Sequence, residues 1–358
     1  MTLDRFFNPQ SVAIVGASRQ PSKVGYEILA GLLKGGYPGK IFPVNPTAPE
    51  IQGLKAYPDL KSIGQVPDLV VLVVSAKLVP QAVQDCANLG VKAVIIISSG
   101  FKEAGPEGAE LEKSIVRIAK TSGLRIIGPN CIGLMVPSRK LNVSFGGDLP
   151  QPGSIGYFSQ SGSLLAAIVD MARDTHLGFS KLISIGNKAD VDELTIIRAL
   201  GEDAETEVIA GYLETIADGD AFIRQAESIS RQKPILLLKA GFTAAGARAA
   251  SSHTGRLAET ESAYECVFER AGVIRCESIK DQFDYARAFA YQPLPKGSRV
   301  AVIANAGGAG IMATDAIERE GLQLAQFSEE TRKRLSQSQE LSRAASINNH
   351  IDLLGDAL

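Results

Sequence analysis

The sequence predicts an α/β fold built from doubly wound parallel sheets. Short apolar, β-branched runs alternate with helical patterns almost from the N-terminus, and this alternation restarts twice along the chain. Strands that are apolar throughout and separated by helices are typical of parallel sheets covered on both faces. A length of 358 residues exceeds one ordinary domain and indicates two or three.

The first run of alternating elements predicts a Rossmann-like domain over residues 1–130, because crossovers between parallel strands are right-handed. Its strands are expected at Ser11–Val15, Ile41–Val44, Leu69–Val74, Ala93–Ile97 and Arg125–Ile127. Its helices are expected at Gly25–Leu33, Val79–Leu89 and Ala109–Thr121.

A turn-rich stretch follows, GPNCIGLMVPSRKLNVSFGGDLPQPG, which we interpret as a domain linker that also covers a site. The alternation then restarts and predicts a second α/β domain over residues 131–292. Its strands are expected at Gly153–Phe158, Lys181–Ser184, Thr206–Leu213 and Ile235–Lys239. Its helices are expected at Ser163–Thr175, at Glu193–Gly201 and from Ala221.

A third unit is predicted over residues 297–358, after the Pro/Gly linker QPLPKGS. Arg299–Ala304 is expected to form a strand that opens onto a Gly-rich turn and a helix. One strand, one or two helices and the apolar IDLL cannot close a sheet covered on both faces. We therefore expect this unit to be truncated here or completed by more chain.

Composition excludes several classes of function. A net charge of -2 and a pI near 6.0 argue against nucleic-acid binding. The four cysteines form no CxxC pair and have no clustered histidines, which argues against a disulfide framework or a metal site. The apolar runs are too short to span a membrane, and the N-terminus lacks the apolar core of a signal peptide. We expect a soluble, cytoplasmic protein.

The first glycine-rich turn, VAIVGASRQPSKVGYEIL, has the strand–turn–helix setting that holds phosphate at a helix N-terminus. It is not GxGxxG, because Ser18 occupies the position of the second glycine. Strand two ends in Asn45 and Pro46, without the acidic residue that holds an NAD ribose. Both departures count against NAD(P) as the ligand. The possibility that this turn binds no ligand at all is left open.

Four segments of the first domain carry a family resemblance: Gly16–Ser18, Val44–Pro46, Ser98–Gly100 and Ile127–Asn130. They resemble the CoA-binding domain of the succinyl-CoA synthetase superfamily, and within it the ADP-forming acetyl-CoA synthetases. The resemblance implies that Gly16, Ser18 and Lys23 hold the phosphates of coenzyme A. It further implies that Asn45, Pro46, Ser75 and Ser98 flank the nucleotide and pantetheine, with Asn130 near the thiol.

His253 lies in a stretch rich in Ala, Gly and Ser, AGFTAAGARAASSHTGRLAE. Imidazole is nucleophilic near neutral pH and can accept and return a phosphoryl group, but composition alone leaves its role open. SSHTG and the upstream Lys239–Gly241 match the phosphohistidine loop of the same family, which implies that His253 carries phosphate. The resemblance also assigns Glu214 as the carboxylate that orients this histidine; otherwise it is a solvated residue at a strand end.

Two glycine- and serine-rich helix starts, FSQSGS and ANAGGAG, suit an anion bound by main-chain amides. Each alone is a weak indication. Together they resemble the paired phosphate-site helices of the superfamily, with Ser161 and Gly162 on one and Gly307 and Gly308 on the other. GNKADVDE would form another wall of this site, with Asn187 as the candidate contact to the acyl or phosphate group.

The resemblance implies a flavodoxin-like second domain, the start of a similar third domain, and a reversible reaction. Acyl-CoA, phosphate and ADP would give a carboxylic acid, CoA and ATP, through an acyl phosphate and phosphorylated His253. No Walker motif or ATP-grasp pattern occurs in the sequence. The resemblance therefore implies an ATP-grasp β subunit or fused domain that binds ADP/ATP with Mg²⁺, and an oligomer.

Two alternatives stay open. In the first, the chain is the CoA-sensing regulatory region of a protein acetyltransferase with a synthetase-like domain. In the second, it is a CoA- or nucleotide-binding switch protein without enzymatic activity. The sequence specifies neither the acyl group nor the physiological direction.

Overall fold

The computed structural model describes residues 3–241, 261–338, 341 and 345–354. The chain divides into two compact units, Met1–Gln292 and Pro293–Leu358. Parallel pairing dominates both larger sheets, which confirms the predicted α/β class.

The strands of the first unit form two sheets and one small hairpin. In chain order they are β1 Ser11–Val15, β2 Lys40–Val44, β3 Glu50–Ile51, β4 Leu54–Lys55, β5 Leu69–Leu72, β6 Ala93–Ile96, β7 Arg125–Ile127, β8 Gly133–Val136, β9 Leu141–Ser144, β10 Pro152–Ser159, β11 Phe179–Ser184, β12 Val208–Leu213, β13 Ile235–Lys239 and β14 Ile274–Cys276. Nine of them lie close to the predicted runs, whereas β3, β4, β8, β9 and β14 were not predicted.

Helices connect most of these strands. They are Asp4–Phe7, Val24–Gly35, Val79–Leu89, Pro106–Ser122, Gly162–Thr175, Glu193–Glu202, Gly219–Ser230, Glu261–Ala271 and Ile279–Tyr291. Short 3₁₀ turns lie at Lys61–Ile63, Ala76–Leu78, Lys102–Ala104 and Pro137–Arg139.

The first sheet has the order β2-β1-β5-β6-β7 and is parallel throughout. Its side chains alternate between two cores, because successive residues of a strand point to opposite faces. Val12 and Ile14 pack with helix Val24–Gly35, whereas Ala13 packs with helices Val79–Leu89 and Pro106–Ser122. The chain turns to the other side of β1 when it enters β5, so a topological switch point lies between these strands.

The second sheet has the order β14-β13-β12-β10-β11-β8-β9. Its first five strands are parallel, and both faces are covered by helices. Phe158 faces the core shared with helices Glu193–Glu202 and Gly219–Ser230, and Tyr157 faces the core shared with Gly162–Thr175.

The interpretation of residues 128–153 as a linker is wrong. This stretch contains β8 and β9, which pair with each other and extend the second sheet in the antiparallel sense. The strands have only four residues each and are separated by Pro137–Arg139, so they give a weak local pattern. Packing stabilises them: both strands are buried, and they share a core with helix Val24–Gly35 of the first sheet.

The second unit contains short parallel pairs. The predicted strand Arg299–Ala304 is divided into β15 Arg299–Val300 and β16 Ile303–Ala304, and these pair with β17 Gln323–Leu324 and β18 Ile351–Asp352. Its helices are Gly307–Arg319 and Glu329–Ser336. The division arises because the two halves find different partners along the chain, which a continuous apolar run does not indicate.

Candidate functional site

A cavity of about 740 Å³ lies within the first unit, where the carboxyl ends of the two sheets meet. Its size is in the range of small-molecule sites. Loops that follow β5, β6 and β7 line one side, and loops that follow β10, β11 and β12 line the other. The residues predicted for the site that line it are Ser75, Ser98, Asn130, Ser161, Gly162, Asn187 and Glu214.

The glycine-rich turn after β1 is compact because of two glycines. Gly16 has a φ of +92°, and a Cβ on it would lie 2.3 Å from the carbonyl oxygen of Val73. A Cβ on Gly25 would lie 2.1 Å from the carbonyl oxygen of Gly16. The glycine-rich turn and the start of helix Val24–Gly35 can therefore lie this close together only because both positions are glycine. Lys23 is the exposed residue preceding this helix.

Asn45 braces the loops beside that turn. Its Nδ2 donates to the carbonyl of Ala17 at 2.8 Å, and its Oδ1 accepts from the amides of Thr47 and Ala48 at 2.9 and 3.0 Å. The Ser18 hydroxyl oxygen similarly accepts from the amide of Gln20 at 3.0 Å. These side chains support the local backbone, as Asn and Ser commonly do in turns.

The loops after β5, β6 and β7 are also tied to one another. The Ser98 hydroxyl donates to the carbonyl of Val74, and the amide of Asn130 donates to the carbonyl of Ser98 at 2.9 Å. Asn130 has a φ of +57°, which asparagine tolerates better than most residues. The edge of the first sheet is therefore built largely from backbone fixed by short polar side chains.

The second sheet contributes a helix N-terminus. Ser161 is the N-cap of helix Gly162–Thr175, and its hydroxyl oxygen accepts from the amide of Leu164 at 3.3 Å. The amides of the first helical turn have no partner within the helix and favour an anion. A Cβ on Gly162 would lie 2.6 Å from a methyl carbon of Ile132, so glycine allows this close packing beside the cavity.

Glu214 follows β12 and is half-buried at the cavity wall. Its backbone amide donates to Oε1 of Gln160 at 3.0 Å, and the amide of Thr215 donates to the same oxygen at 3.3 Å. Burial, and secondarily the negative charge of Glu214, raise the pKa of Tyr212 to about 12. Gln160 was not predicted as a site residue, although it lies within the FSQSGS segment.

A buried ion pair forms part of the same cavity wall. Lys188 Nζ is 2.8 Å from Oε2 of Glu193, and the two side chains are 8% and 1% exposed. Lys188 also donates to the carbonyl of Thr215 at 2.7 Å, and Glu193 Oε1 accepts from the amide of Ala217 at 3.1 Å. Both residues belong to the predicted GNKADVDE wall, but only Asn187 was named from that segment.

The Asn187 side chain is committed to other protein groups. Its Nδ2 donates to Glu103 at 2.6 Å and to Glu112 at 2.8 Å, and its Oδ1 accepts from Asn130 at 3.3 Å. Burial would raise the pKa of Glu103, but hydrogen bonds from Asn187 and three backbone amides outweigh it and leave the pKa lowered. Lys102 completes the cluster through Glu112 at 3.3 Å. Asn187 thus joins the first sheet's loops to the second sheet's.

The remaining predicted site residues lie elsewhere. Gly16, Ser18, Asn45 and Pro46 occupy the same edge of the first sheet beyond the cavity lining, toward β2. Gly307 and Gly308 begin helix Gly307–Arg319 of the second unit, where Asp352 Oδ2 lies 2.8 Å from the position of a Cβ on Gly307. His253 lies outside the described residues.

The described residues lack two features that would indicate other classes of function. They contain no group of three or more His, Cys, Asp or Glu side chains arranged to hold a metal ion. Among them there is also no helix both long and apolar enough to cross a membrane.

Comparison with protein families matches both sheet regions. Residues 10–137 match a CoA-binding domain, and residues 152–289 match a succinyl-CoA ligase-like flavodoxin domain. These matches confirm the resemblance inferred from the turn motifs and the flavodoxin-like character of the second domain.

Full-length relatives extend the likeness. The chain is 43% identical over 355 residues to the alpha subunit of ADP-forming acetate–CoA ligase II of Pyrococcus furiosus, covering 99% of this chain and 77% of the relative. It is 36% identical to the ADP-forming 4-hydroxybutyrate–CoA ligase of Nitrosopumilus maritimus, covering 100% of this chain and 51% of that protein.

A solved structure agrees with these sequence relatives. The dinucleotide-forming acetyl-coenzyme A synthetase 1 of Ca. Korarchaeum cryptofilum, in complex with phosphate and ADP, superimposes with a TM-score of 0.92 at 40% identity. The likeness covers 99% of this chain and 76% of that one. The chain belongs to the family of ADP-forming acetate–CoA ligases, as a relative of their alpha subunits.

Proposed function

We propose that this chain is the CoA-binding and phosphohistidine-carrying part of an ADP-forming acyl-CoA ligase. The observation that carries the proposal is one shared cavity. The start of helix Gly162–Thr175 and the carboxylate-bearing residue Glu214 both line it, opposite loops of the CoA-binding domain. An anion-binding helix terminus and a carboxylate beside a thioester site suit phosphoryl transfer from an acyl phosphate.

The proposed reaction has three steps. Phosphate attacks the thioester carbonyl, the carbon–sulfur bond breaks, and acyl phosphate and CoA form. His253 then attacks phosphorus and releases the carboxylate, with Glu214 accepting a hydrogen bond from the other ring nitrogen so that the imidazole keeps the reactive tautomer. The phosphoryl group finally passes from His253 to ADP, which gives ATP.

Coenzyme A would lie along the carboxyl edge of the first sheet. Gly16, Ser18 and Lys23 are proposed to hold its phosphates, Asn45, Pro46, Ser75 and Ser98 to flank its nucleotide and pantetheine, and Asn130 to lie near its thiol. Five strands spaced about 4.8 Å apart give an edge of roughly 19 Å, which suits an extended ligand. The side chains of Asn45 and Ser98 already bind protein backbone, so we expect these positions to contact CoA mainly through main-chain groups.

The nucleotide half of the reaction is assigned to a partner. A relative is named as an alpha subunit, which supports an ATP-grasp β subunit or fused domain. Mg²⁺ would be held there with ADP or ATP. We further propose that the enzyme is an oligomer and is cytoplasmic.

The proposed domain boundaries are 1–130, 131–292 and 297–358. Gly307 and Gly308 are proposed as the second phosphate-binding helix start, and Asn187 as part of a wall of the site.

The test uses the purified chain with acetyl-CoA and labelled phosphate. We expect an acid-labile, base-stable label on the protein that is lost in His253→Ala. His176→Ala is the matched control, because His176 is exposed at the end of helix Gly162–Thr175. CoA binding without any label would instead favour the CoA-sensing region of an acetyltransferase, which the named relatives do not support.

A further inference from the structure

The segment Glu214–Ala217 is held in place by side chains from two neighbouring loops. Gln160 accepts from the amides of Glu214 and Thr215, and Lys188 donates to the carbonyl of Thr215. Glu193 accepts from the amide of Ala217. Four backbone groups of one short segment are therefore fixed by three side chains, and all three of those side chains belong to the cavity wall.

The ion pair within this arrangement is costly to bury. Two charges removed from water lose hydration, and a buried pair is often no more stabilising than apolar residues of the same volume. Here the pair makes two further hydrogen bonds to the backbone next to Glu214. Glu193 also begins helix Glu193–Glu202, where a negative charge is favoured by the helix dipole. Among the described residues, Glu193 Oε2 is contacted only by the Lys188 ammonium, so the pair depends on its own geometry and on these backbone contacts between two loops.

We propose that Gln160 and the Lys188–Glu193 pair are positioning residues for Glu214, a role that rests on the function proposed above for that carboxylate. They act through the backbone of Glu214–Ala217 and hold the carboxylate at the distance from the helix start of Gly162 that phosphoryl transfer requires. Reactions of this kind are sensitive to displacement of a catalytic group by as little as about 1 Å.

Lys233 provides the matched control for Lys188. Its ammonium also donates to two backbone carbonyls, those of Leu200 and Asp203, at 3.2 and 2.6 Å. It caps the C-terminal end of helix Glu193–Glu202 and is not part of the cavity wall. Lys233→Met therefore removes similar hydrogen bonds without touching the segment that holds Glu214.

The test measures phosphohistidine formation from acetyl-CoA and labelled phosphate in the full chain. Lys188→Met/Glu193→Gln removes both charges and leaves no buried charge unpaired, while Gln160→Met removes the acceptor of two amides. We expect the maximal labelling rate to fall roughly 10- to 100-fold in each, with the CoA dissociation constant changed less than about twofold. Lys188→Arg, which keeps the charged donor, is expected to recover part of the rate, and Lys233→Met to label normally.

Combination with Glu214→Gln separates positioning from general support of the fold. If the two elements act through Glu214, adding either variant to Glu214→Gln lowers the rate little further. Wild-type rates in both folded variants, or losses that multiply with Glu214→Gln, would overturn the proposal while leaving the proposed function intact. A wild-type chain that binds CoA but never labels would instead refute the proposed function, and the positioning role with it.

Discussion

The two sheet edges that meet at the cavity are built differently. Along the first sheet, polar side chains such as Asn45 and Ser98 make hydrogen bonds to the protein's own backbone, and glycines allow loops to pack closely together. Along the second sheet, a helix N-terminus and Glu214 face the cavity, and other side chains hold them. The first edge shapes the cavity and contributes main-chain groups, whereas the second contributes the helix N-terminus and Glu214.

This difference separates two kinds of sensitivity to mutation. Substitutions on the first edge should act through the fold and thereby weaken CoA binding, because the contacts are set by backbone geometry. Substitutions on the second edge should act on the phosphoryl-transfer rate at little cost in stability. Three predictions test that division.

The largest effect is expected at Gly16. Gly16→Ala combines a φ of +92° with a Cβ 2.3 Å from the Val73 carbonyl, and should lower the free energy of unfolding by about 2–5 kcal/mol. Gly53→Ala is the control, because its φ is +79° but nothing lies within 4 Å of its Cβ; it should cost about 1–2 kcal/mol. Urea unfolding measures both, and equal losses would show that the close approach to Val73 is unimportant.

A smaller effect is expected at the N-cap Ser161. Ser161→Ala should lower the free energy of unfolding by about 1 kcal/mol. It should also weaken the phosphate binding on which labelling depends, because the first helical turn becomes less well ordered. Ser278→Ala removes a comparable N-cap, which accepts from the amide of Asp281 at 3.1 Å, on a helix outside the cavity wall. It should lose similar stability with no change in labelling. If both variants label alike, Ser161 contributes only to the helix.

The smallest effect concerns Glu103, which links the two edges through Asn187. Since its pKa in the folded protein lies below its ordinary value of 4.5, its contribution to stability is present above that pH and is lost as the pH falls through the folded pKa. The unfolding free energy should therefore depend less steeply on pH below about 5 in Glu103→Gln than in wild type.

The control for Glu103 is Glu110. Its pKa is also lowered, by its exposed partner Lys113, but exposed pairs are screened by salt. The pH effect of Glu103→Gln should persist at high salt, whereas that of Glu110→Gln should fade. An effect of Glu103→Gln that disappears with salt would argue against a half-buried link between the edges.

Much of the fold could be predicted because strand and helix patterns are local. The strands Ser11–Val15 and Arg125–Ile127 and the helix Val79–Leu89 have the predicted bounds. The hairpin of β8 and β9 could not be predicted, because two four-residue strands depend on pairing with β11 and packing on helix Val24–Gly35. The division of Arg299–Ala304 likewise depends on partners found later in the chain.

The site divides in the same way. Glycine-rich turns and strand-end residues such as Ser161 and Glu214 could be located from sequence, because the carboxyl ends of parallel strands share one edge. The roles of Gln160, Lys188 and Glu193 could not, because their partners at Glu214–Ala217 lie 24 to 55 positions away in the chain.

The sequence by itself determined the alternation of elements, the glycine turns and the family, since each depends on neighbouring residues or on a short motif. Only the tertiary structure decided which polar side chains are used up in bracing loops and which line the cavity. The physical reason is that a buried polar group must find a partner, and that partner is supplied by whichever strand or loop the fold brings beside it.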